Sequence, residues 1–123
     1  MNKVIYLSTE ALLRIAKKLD VLEVRDFGLL DSAAMRPQSA FFGEESYPSL
    51  ATKGAALLES IVGNHPLVDG NKRLGWSATA IFFEMNDSPI HITNDEAYDF
   101  TVAVAAGKLS FLEIASQLEA WTT

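Results

Sequence analysis

The residues best suited to chemistry in this chain lie together between positions 65 and 73, in the stretch HPLVDGNKR. His65 carries an imidazole, a group that can accept a hydroxyl proton at neutral pH. Asp69 carries a carboxylate, and one carboxylate together with phosphates and waters is an ordinary environment for Mg²⁺. The two side chains together predict chemistry on a phosphate-bearing substrate.

Groups that can bind a phosphate follow directly in the sequence. Gly70 allows the backbone to approach a phosphate closely, and the N–H groups around Asn71 can form an anion-binding nest. Lys72 adds a point charge, and the guanidinium of Arg73 can bind two phosphate oxygens at once. An apolar helical pattern begins here, so these groups should lie at a helix N-terminus, where free N–H groups and the helix dipole favour an anion.

Each of these features also has a plainer interpretation. Asp69 is the kind of acid that a helix dipole favours at its N-terminus, and the adjacent cations also occur as a surface pair. His65 and Asp69 are four residues apart, a spacing used by metallohydrolases, but Pro66 and Gly70 argue against a continuous helix between them. The glycine spacing does not match a P-loop either. Both of these enzyme classes therefore remain minor alternatives.

Hydrophobic spacing predicts the helices that position these groups. The pattern from about Asn71 to Met85 is apolar nearly all round, which indicates a buried helix. Other helical patterns run from Ser8 or Thr9 to near Asp20, over 49–63, from Thr93 or Asn94 to Gly107, and onward from Ser110. The predicted fold is all-α: a compact helical bundle around the buried central helix 71–85.

The remaining stretches are less regular. Lys3–Leu7 is β-branched and aromatic, so we expect it to be extended. Glycine and proline punctuate the region 21–48, which predicts an irregular segment with a short helical piece around Asp31–Met35.

Composition limits the classes of protein and partner. The 123 residues predict a single domain, 1–123, and the absence of cysteine excludes disulfides and thiolate metal sites. The net charge of -6 argues against direct nucleic-acid binding, which relies on Lys and Arg. No signal pattern or membrane-spanning run is present in the sequence, so we expect a cytoplasmic protein with no membrane partner.

HPLVDGNKR resembles the signature of the Fic/Doc family, H-x-F-x-(D/E)-(G/A)-N-(G/K)-R. The resemblance extends to DFGLLDSAAMRPQSAFFGEESYPSL before it and AAGKLSFLEIASQLE after it, so it covers most of the chain. Lys72 and the short length are similar to the Doc branch, the toxins of toxin–antitoxin pairs. Leu67 stands where phenylalanine is common, and we expect it to anchor the loop in the core.

The resemblance implies roles for the signature residues, with ATP and Mg²⁺ as cofactors. In the family the histidine activates the target hydroxyl, the acid binds Mg²⁺ on the nucleotide phosphates, and the following residues bind those phosphates. The implied catalytic residues are His65, Asp69, Lys72 and Arg73. The implied ATP-binding residues are Gly70, Asn71, Lys72 and Arg73, and the implied metal ligand is Asp69.

The resemblance also implies contacts with two protein partners. In the family a flap before the signature aligns the target segment, which implies Arg36, Gln38, Phe41 and Phe42 as target or partner contacts. The alternative is that the two phenylalanines cover the core and Arg36 caps a carbonyl. Self-inhibiting members carry an (S/T)-x-x-x-E-(G/N) helix, but no glutamate here precedes Gly or Asn. We therefore expect a separate antitoxin protein as inhibitor.

Two departures from the family pattern bear on the reaction. AMP-transferring members usually carry a second arginine three residues after the first, where this chain has Trp76, and a glycine where it has Lys72. The Doc branch shares both departures and transfers the ATP γ-phosphate to a threonine of elongation factor Tu, which halts translation. The resemblance thus implies a protein kinase acting on a Thr or Ser hydroxyl of a translation factor, with elongation factor Tu expected. An AMP transferase and a non-catalytic binding module are the alternatives.

Overall fold

A computed structural model describes residues 3–122, and across them the chain forms six α-helices and one short hairpin. The helices are α1 Thr9–Lys18, α2 Phe27–Met35, α3 Leu50–Asn64, α4 Asn71–Met85, α5 Asn94–Ala105 and α6 Phe111–Thr122. The hairpin strands are β1 Ala40–Phe41 and β2 Glu44–Glu45, and a 3₁₀ turn spans Arg36–Gln38. The predicted all-α fold class is confirmed. In the described part of the chain no helix is long and apolar enough to cross a membrane.

Side-chain caps explain where the helices begin. Ser8 caps α1, and α3, α5 and α6 begin with reciprocal pairs: Ser49 with Thr52, Thr93 with Glu96, and Ser110 with Glu113. The Ser110 N–H and hydroxyl both stabilise the Glu113 carboxylate, which lowers the pKa of that side chain. The predicted starts of α1, α3, α5 and α6 are therefore confirmed.

The region 21–48 is more regular than predicted. Helix α2 begins at Phe27 rather than near Asp31, because the side chain of Asp26 accepts a hydrogen bond from the Leu29 N–H. The hairpin pairs Ala40 with Glu45 and Phe41 with Glu44. Short-range cap chemistry and one turn therefore give structure to a stretch with no clear periodicity.

A buried lysine fixes the hairpin to the bundle. Lys53 of α3 is 1% exposed, and its ammonium donates to Glu45 at 2.9 Å and to the Tyr47 carbonyl. It also lies 5.8 Å from the centre of the Tyr6 ring. A buried ammonium is tolerated only when its donors find partners, so this side chain is a structural anchor for the hairpin.

The N-terminal stretch Lys3–Leu7 is not a strand. Its Ile5 backbone is bound by the side chain of Asn86, which accepts from the Ile5 N–H at 2.8 Å and donates to the Ile5 carbonyl at 2.9 Å. One side-chain amide therefore supplies the hydrogen bonds that a neighbouring strand would have supplied.

The core draws on all six helices, and α3 and α4 form its centre. Helix α4 is buried as predicted along Leu74, Ala78, Phe82 and Phe83, and α3 is buried still more completely. Glycines let the two helices approach closely: a Cβ at Gly54 would overlap the Phe83 ring, and one at Gly75 would lie 2.7 Å from Val62. Because α3 and α4 flank the signature stretch, their packing sets the two ends of that loop.

We expect Gly54→Ala and Gly75→Ala each to lower the free energy of unfolding by about 1–3 kcal/mol, since an added methyl group overfills this core. Gly63→Ala is the matched control, because a Cβ at this exposed α3 position would meet nothing within 4 Å. Alanine there should stabilise the protein by up to about 1 kcal/mol. Urea denaturation measures all three variants. Equal effects at the three positions would contradict this account of the packing.

Candidate active site

The first six residues of the signature stretch, 65–70, form the loop between α3 and α4, and its last three residues begin α4. Helix α3 ends at Asn64, and His65 follows in the left-handed region with φ 52° and ψ 57°. Pro66 and Leu67 are buried, whereas His65, Val68 and Asp69 are exposed. Leu67 is 1% exposed and therefore anchors the loop in the core as expected. The loop thus buries its apolar residues and presents the imidazole and carboxylate to solvent.

The side chain of Asn71 closes this loop on itself. Its Oδ1 accepts from the Leu67 N–H at 2.9 Å, and its Nδ2 donates to the Leu67 carbonyl at 3.1 Å. The family resemblance implies Asn71 as an ATP-binding residue. The structure gives it a second task, because both backbone groups of a buried loop residue depend on its amide.

A second set of bonds ties the loop to the connection between α1 and α2. The Val68 N–H donates to the Glu23 carbonyl at 2.8 Å, and Val24 pairs with Leu67 in an antiparallel bridge. The Pro66 carbonyl accepts from the Arg25 N–H at 2.8 Å. These contacts join segments about 40 residues apart and carry no local sequence signal, so sequence reasoning missed them.

Gly70 has a conformation and a position that only glycine suits. Its φ is 85°, and a Cβ there would lie 2.5 Å from Cγ1 of Val21. The same residue is the N-cap of α4 and offers no side-chain cap to it. The first N–H groups of α4 are therefore available to an anion, as the sequence predicts.

The two cations stand at this uncapped helix start. Lys72 and Arg73 are exposed, and Arg73 donates to the carbonyl of Leu19 at 3.1 Å. This bond holds the guanidinium at the C-terminal end of α1 while leaving further N–H donors for a ligand. Two positive charges beside the positive end of a helix dipole make a strong anion site.

Asp69 is the residue that the sequence predicts as a metal ligand. Its exposed carboxylate accepts from the Gly70 N–H at 2.8 Å through Oδ1, which fixes the side chain beside the start of α4. A carboxylate in this position suits a Mg²⁺ ion that keeps waters and phosphate oxygens as its other ligands. Within residues 3–122 no group of three or more His, Cys, Asp or Glu side chains is arranged to hold a metal ion.

One cavity of about 590 Å³ brings the predicted residues together. All six signature residues proposed from the sequence line it: His65, Asp69, Gly70, Asn71, Lys72 and Arg73. The remainder of the lining comes mainly from α4 and α5, including Trp76, Asn94, Ala97, Tyr98, Thr101 and Val102. The α5 residues were missed, because helical spacing in this stretch predicts a helix but does not show which of its faces lines a cavity.

The four predicted partner contacts lie outside this cavity lining. The guanidinium of Arg36 donates to Tyr47 and Glu59, both at 2.9 Å, and to Ser60 at 3.0 Å. Burial alone would lower the pKa of Arg36, but the bonds and charges of Tyr47 and Glu59 outweigh it and raise that pKa. These contacts tie Arg36 to α3 and give it a structural role.

The other three residues lie at or near the hairpin. Phe41 is 72% exposed and Phe42 91% exposed, with their ring centres 4.4 Å apart. The alternative that these phenylalanines cover the core is therefore wrong. Gln38 is exposed, with its amide 3.9 Å from the sulfur of Met35. An exposed aromatic pair on a hairpin is a surface suited to a protein partner.

Comparison with known proteins identifies the family of this chain. The family model described as Fic/DOC family matches residues 4–83, and the chain belongs to the Fic/Doc family. It is similar to the protein named Toxin Doc from Mycolicibacterium smegmatis, with 43% identity over 99 residues. The match covers 79% of this chain and 76% of that protein.

Replacing Asn71 tests the closure of the loop. Asn71→Ala removes both hydrogen bonds to Leu67, so we expect the free energy of unfolding to fall by about 1–3 kcal/mol and the Leu67 amide to exchange faster. Asn71→Asp keeps an acceptor for the Leu67 N–H, so its free energy of unfolding should fall by less than that of Asn71→Ala. Unchanged exchange at Leu67 in the alanine variant would rule out this role.

Replacing Gly70 separates backbone strain from packing. Gly70→Ala should lower the free energy of unfolding through its positive φ and through the overlap with Val21. Gly43→Ala is the matched control, because its φ is 80° and its Cβ would meet nothing within 4 Å. The control should cost about 1–2 kcal/mol, and Gly70→Ala should cost more. In a Val21→Ala background, which removes the overlap, Gly70→Ala should lower the free energy of unfolding only as much as the Gly43→Ala control does. No loss of stability in that background would contradict the backbone strain at Gly70.

Proposed function

We propose that this protein is a Doc-like toxin, a protein kinase that transfers the γ-phosphate of ATP to a Thr or Ser hydroxyl of a translation factor and so arrests translation. The observation that carries the proposal is a single cavity lined by His65, Asp69 and the uncapped, doubly cationic start of α4. Elongation factor Tu is the expected target. Family membership and the similarity to Toxin Doc support the same assignment.

The site can perform each part of a phosphoryl transfer. The target hydroxyl oxygen forms a bond to the γ-phosphorus, the bond from that phosphorus to the β–γ bridging oxygen breaks, and ADP leaves. His65 accepts the hydroxyl proton, while Lys72, Arg73 and the α4 N–H groups stabilise the phosphate charge. Asp69 would hold Mg²⁺ on the phosphates, where the ion neutralises further charge. Positioning and electrostatics thus supply most of the catalysis.

The rest of the cavity suits the nucleoside part of ATP. The phosphates occupy the end formed by the signature loop, so the ribose and adenine extend toward the lining from α4 and α5. Ala97 and Val102 make this part apolar, and Tyr98 is an exposed aromatic ring able to stack on a base. A cavity of about 590 Å³ falls in the size range of small-molecule sites.

Trp76 favours phosphoryl over nucleotidyl transfer. It stands where AMP-transferring members usually carry a second arginine, and it packs edge-on against Phe100 and Trp121, each with ring centres 6.2 Å away. An indole held in this way supplies no charge to a phosphate. AMP transfer remains the alternative within enzymes, since it needs the same nucleotide. A non-catalytic binding module is disfavoured by His65 and Asp69, which line the same cavity.

Two protein partners complete the proposal. The exposed Phe41 and Phe42, with Gln38 nearby, form the contact surface for the target or the inhibitor. Inhibition comes from a separate antitoxin chain, because the sequence lacks the self-inhibitory glutamate motif. The protein acts in the cytoplasm, where its translation-factor target is found, and it does not bind nucleic acid directly.

The test uses purified protein, Mg²⁺ and elongation factor Tu, with ATP labelled in parallel at the α- or γ-phosphate. We expect label only from the γ position. The rate of label transfer should fall by about 10²- to 10⁴-fold in His65→Ala, which removes the general base. His91→Ala is the matched control, since the other histidine lies outside the residues that line the cavity.

Label from the α position would identify an AMP transferase instead. Bound ATP without transfer of either label would point to another target or to a binding module.

A further inference from the structure

His65 has a backbone conformation that its own sequence disfavours. Its φ of 52° lies in the left-handed region, which few residues other than glycine adopt. The next residue is Pro66, whose ring favours an extended conformation in the residue before it, with ψ well above the observed 57°. A strained residue of this kind persists only when its surroundings hold it in place.

The Schellman closure of a helix C-terminus is not possible at the end of α3, because it needs an N–H on the residue after the left-handed one. The last carbonyls of α3 have no partner within the helix, and they commonly accept from the N–H groups of the residues that follow. Pro66 has no N–H to donate. The backbone that follows His65 therefore leaves carbonyls at the end of α3 open to other donors.

Arg25, in the connection between α1 and α2, donates to the last carbonyl of α3 and to the carbonyl of His65 that follows it. Its Nε donates to the His65 carbonyl at 2.7 Å, and one terminal nitrogen donates to the Asn64 carbonyl at 2.9 Å. Its own N–H donates to the Pro66 carbonyl at 2.8 Å, so the backbone of Arg25 is fixed against the same turn. The planar guanidinium spans two successive carbonyls in a way that a lysine ammonium cannot reproduce with fixed geometry.

We propose that Arg25 is a positioning residue for His65. By satisfying the carbonyls of Asn64 and His65, it holds the left-handed turn that presents the imidazole to the cavity. Arg25 does not line the cavity and does not need to contact ATP. The inference rests on the proposed function, since it assigns His65 as the base.

This role predicts a particular kinetic signature. With elongation factor Tu as substrate, Arg25→Ala should lower kcat by about 10- to 100-fold, because a displaced base loses its alignment with the hydroxyl. The KM for ATP should stay unchanged, since the phosphate site at α4 is intact. Arg25→Lys, which keeps the charge and a donor, should recover part of the rate. Arg14→Ala is the matched control, removing an exposed arginine of α1.

A second readout does not depend on activity. The NMR backbone chemical shifts of His65 in the ligand-free protein should move in Arg25→Ala and stay fixed in Arg14→Ala. If Arg25→Ala does not fold, Arg25→Lys should show a smaller movement in the same direction. Unchanged shifts, or a raised KM with an unchanged kcat, would overturn the proposal. If the wild-type protein does not phosphorylate elongation factor Tu, the proposed function is contradicted. The chemical shifts would still test whether Arg25 holds the His65 turn.

Discussion

The site depends on holding an irregular loop still. Between α3 and α4 the backbone has no helical or sheet ladder of its own, yet Leu67 is buried and its polar groups need partners. The Asn71 amide provides a donor and an acceptor for Leu67, and backbone groups of residues 23–26 bind the neighbouring Pro66 and Val68. A loop fixed in this way keeps its N–H groups and charges aimed before a ligand arrives, which is the condition for strong electrostatic stabilisation.

The helices give this loop its two fixed ends. The close approach of α3 and α4 depends on Gly54 and Gly75, which leave no room for a side chain. Helix α4 then delivers its uncapped N-terminus and two cations to one end of the cavity, while α5 and Trp76 line the remainder. The arrangement destabilises the start of α4 through like charges near the positive dipole end, and a bound phosphate would remove that cost. Stability and function thus conflict locally at α4, as they often do at binding sites.

Sequence reasoning recovered the parts of this molecule that are encoded locally. Caps at Ser8, Thr93 and Ser110 marked helix starts, and the order of groups from His65 to Arg73 marked the site. Contacts between distant segments were not recoverable in this way. The donors of Arg25, the cavity face of α5 and the buried ammonium of Lys53 all arise from tertiary packing. Arg36 shows the same limit: the family resemblance implied a target or partner contact, and its bonds to Glu59 and Ser60 of α3 could not be read from the sequence.

The most direct test is a crystal structure with Mg²⁺ and a non-hydrolysable ATP analogue. We expect phosphates on the N–H groups of Asn71, Lys72 and Arg73, with the metal ion on Asp69. Residues 65–70 should move by less than about 1 Å, as expected of a preformed site, and His65 should keep its positive φ. Phosphates bound away from α4, or a loop that rearranges to meet them, would contradict the claim that this loop is built in advance.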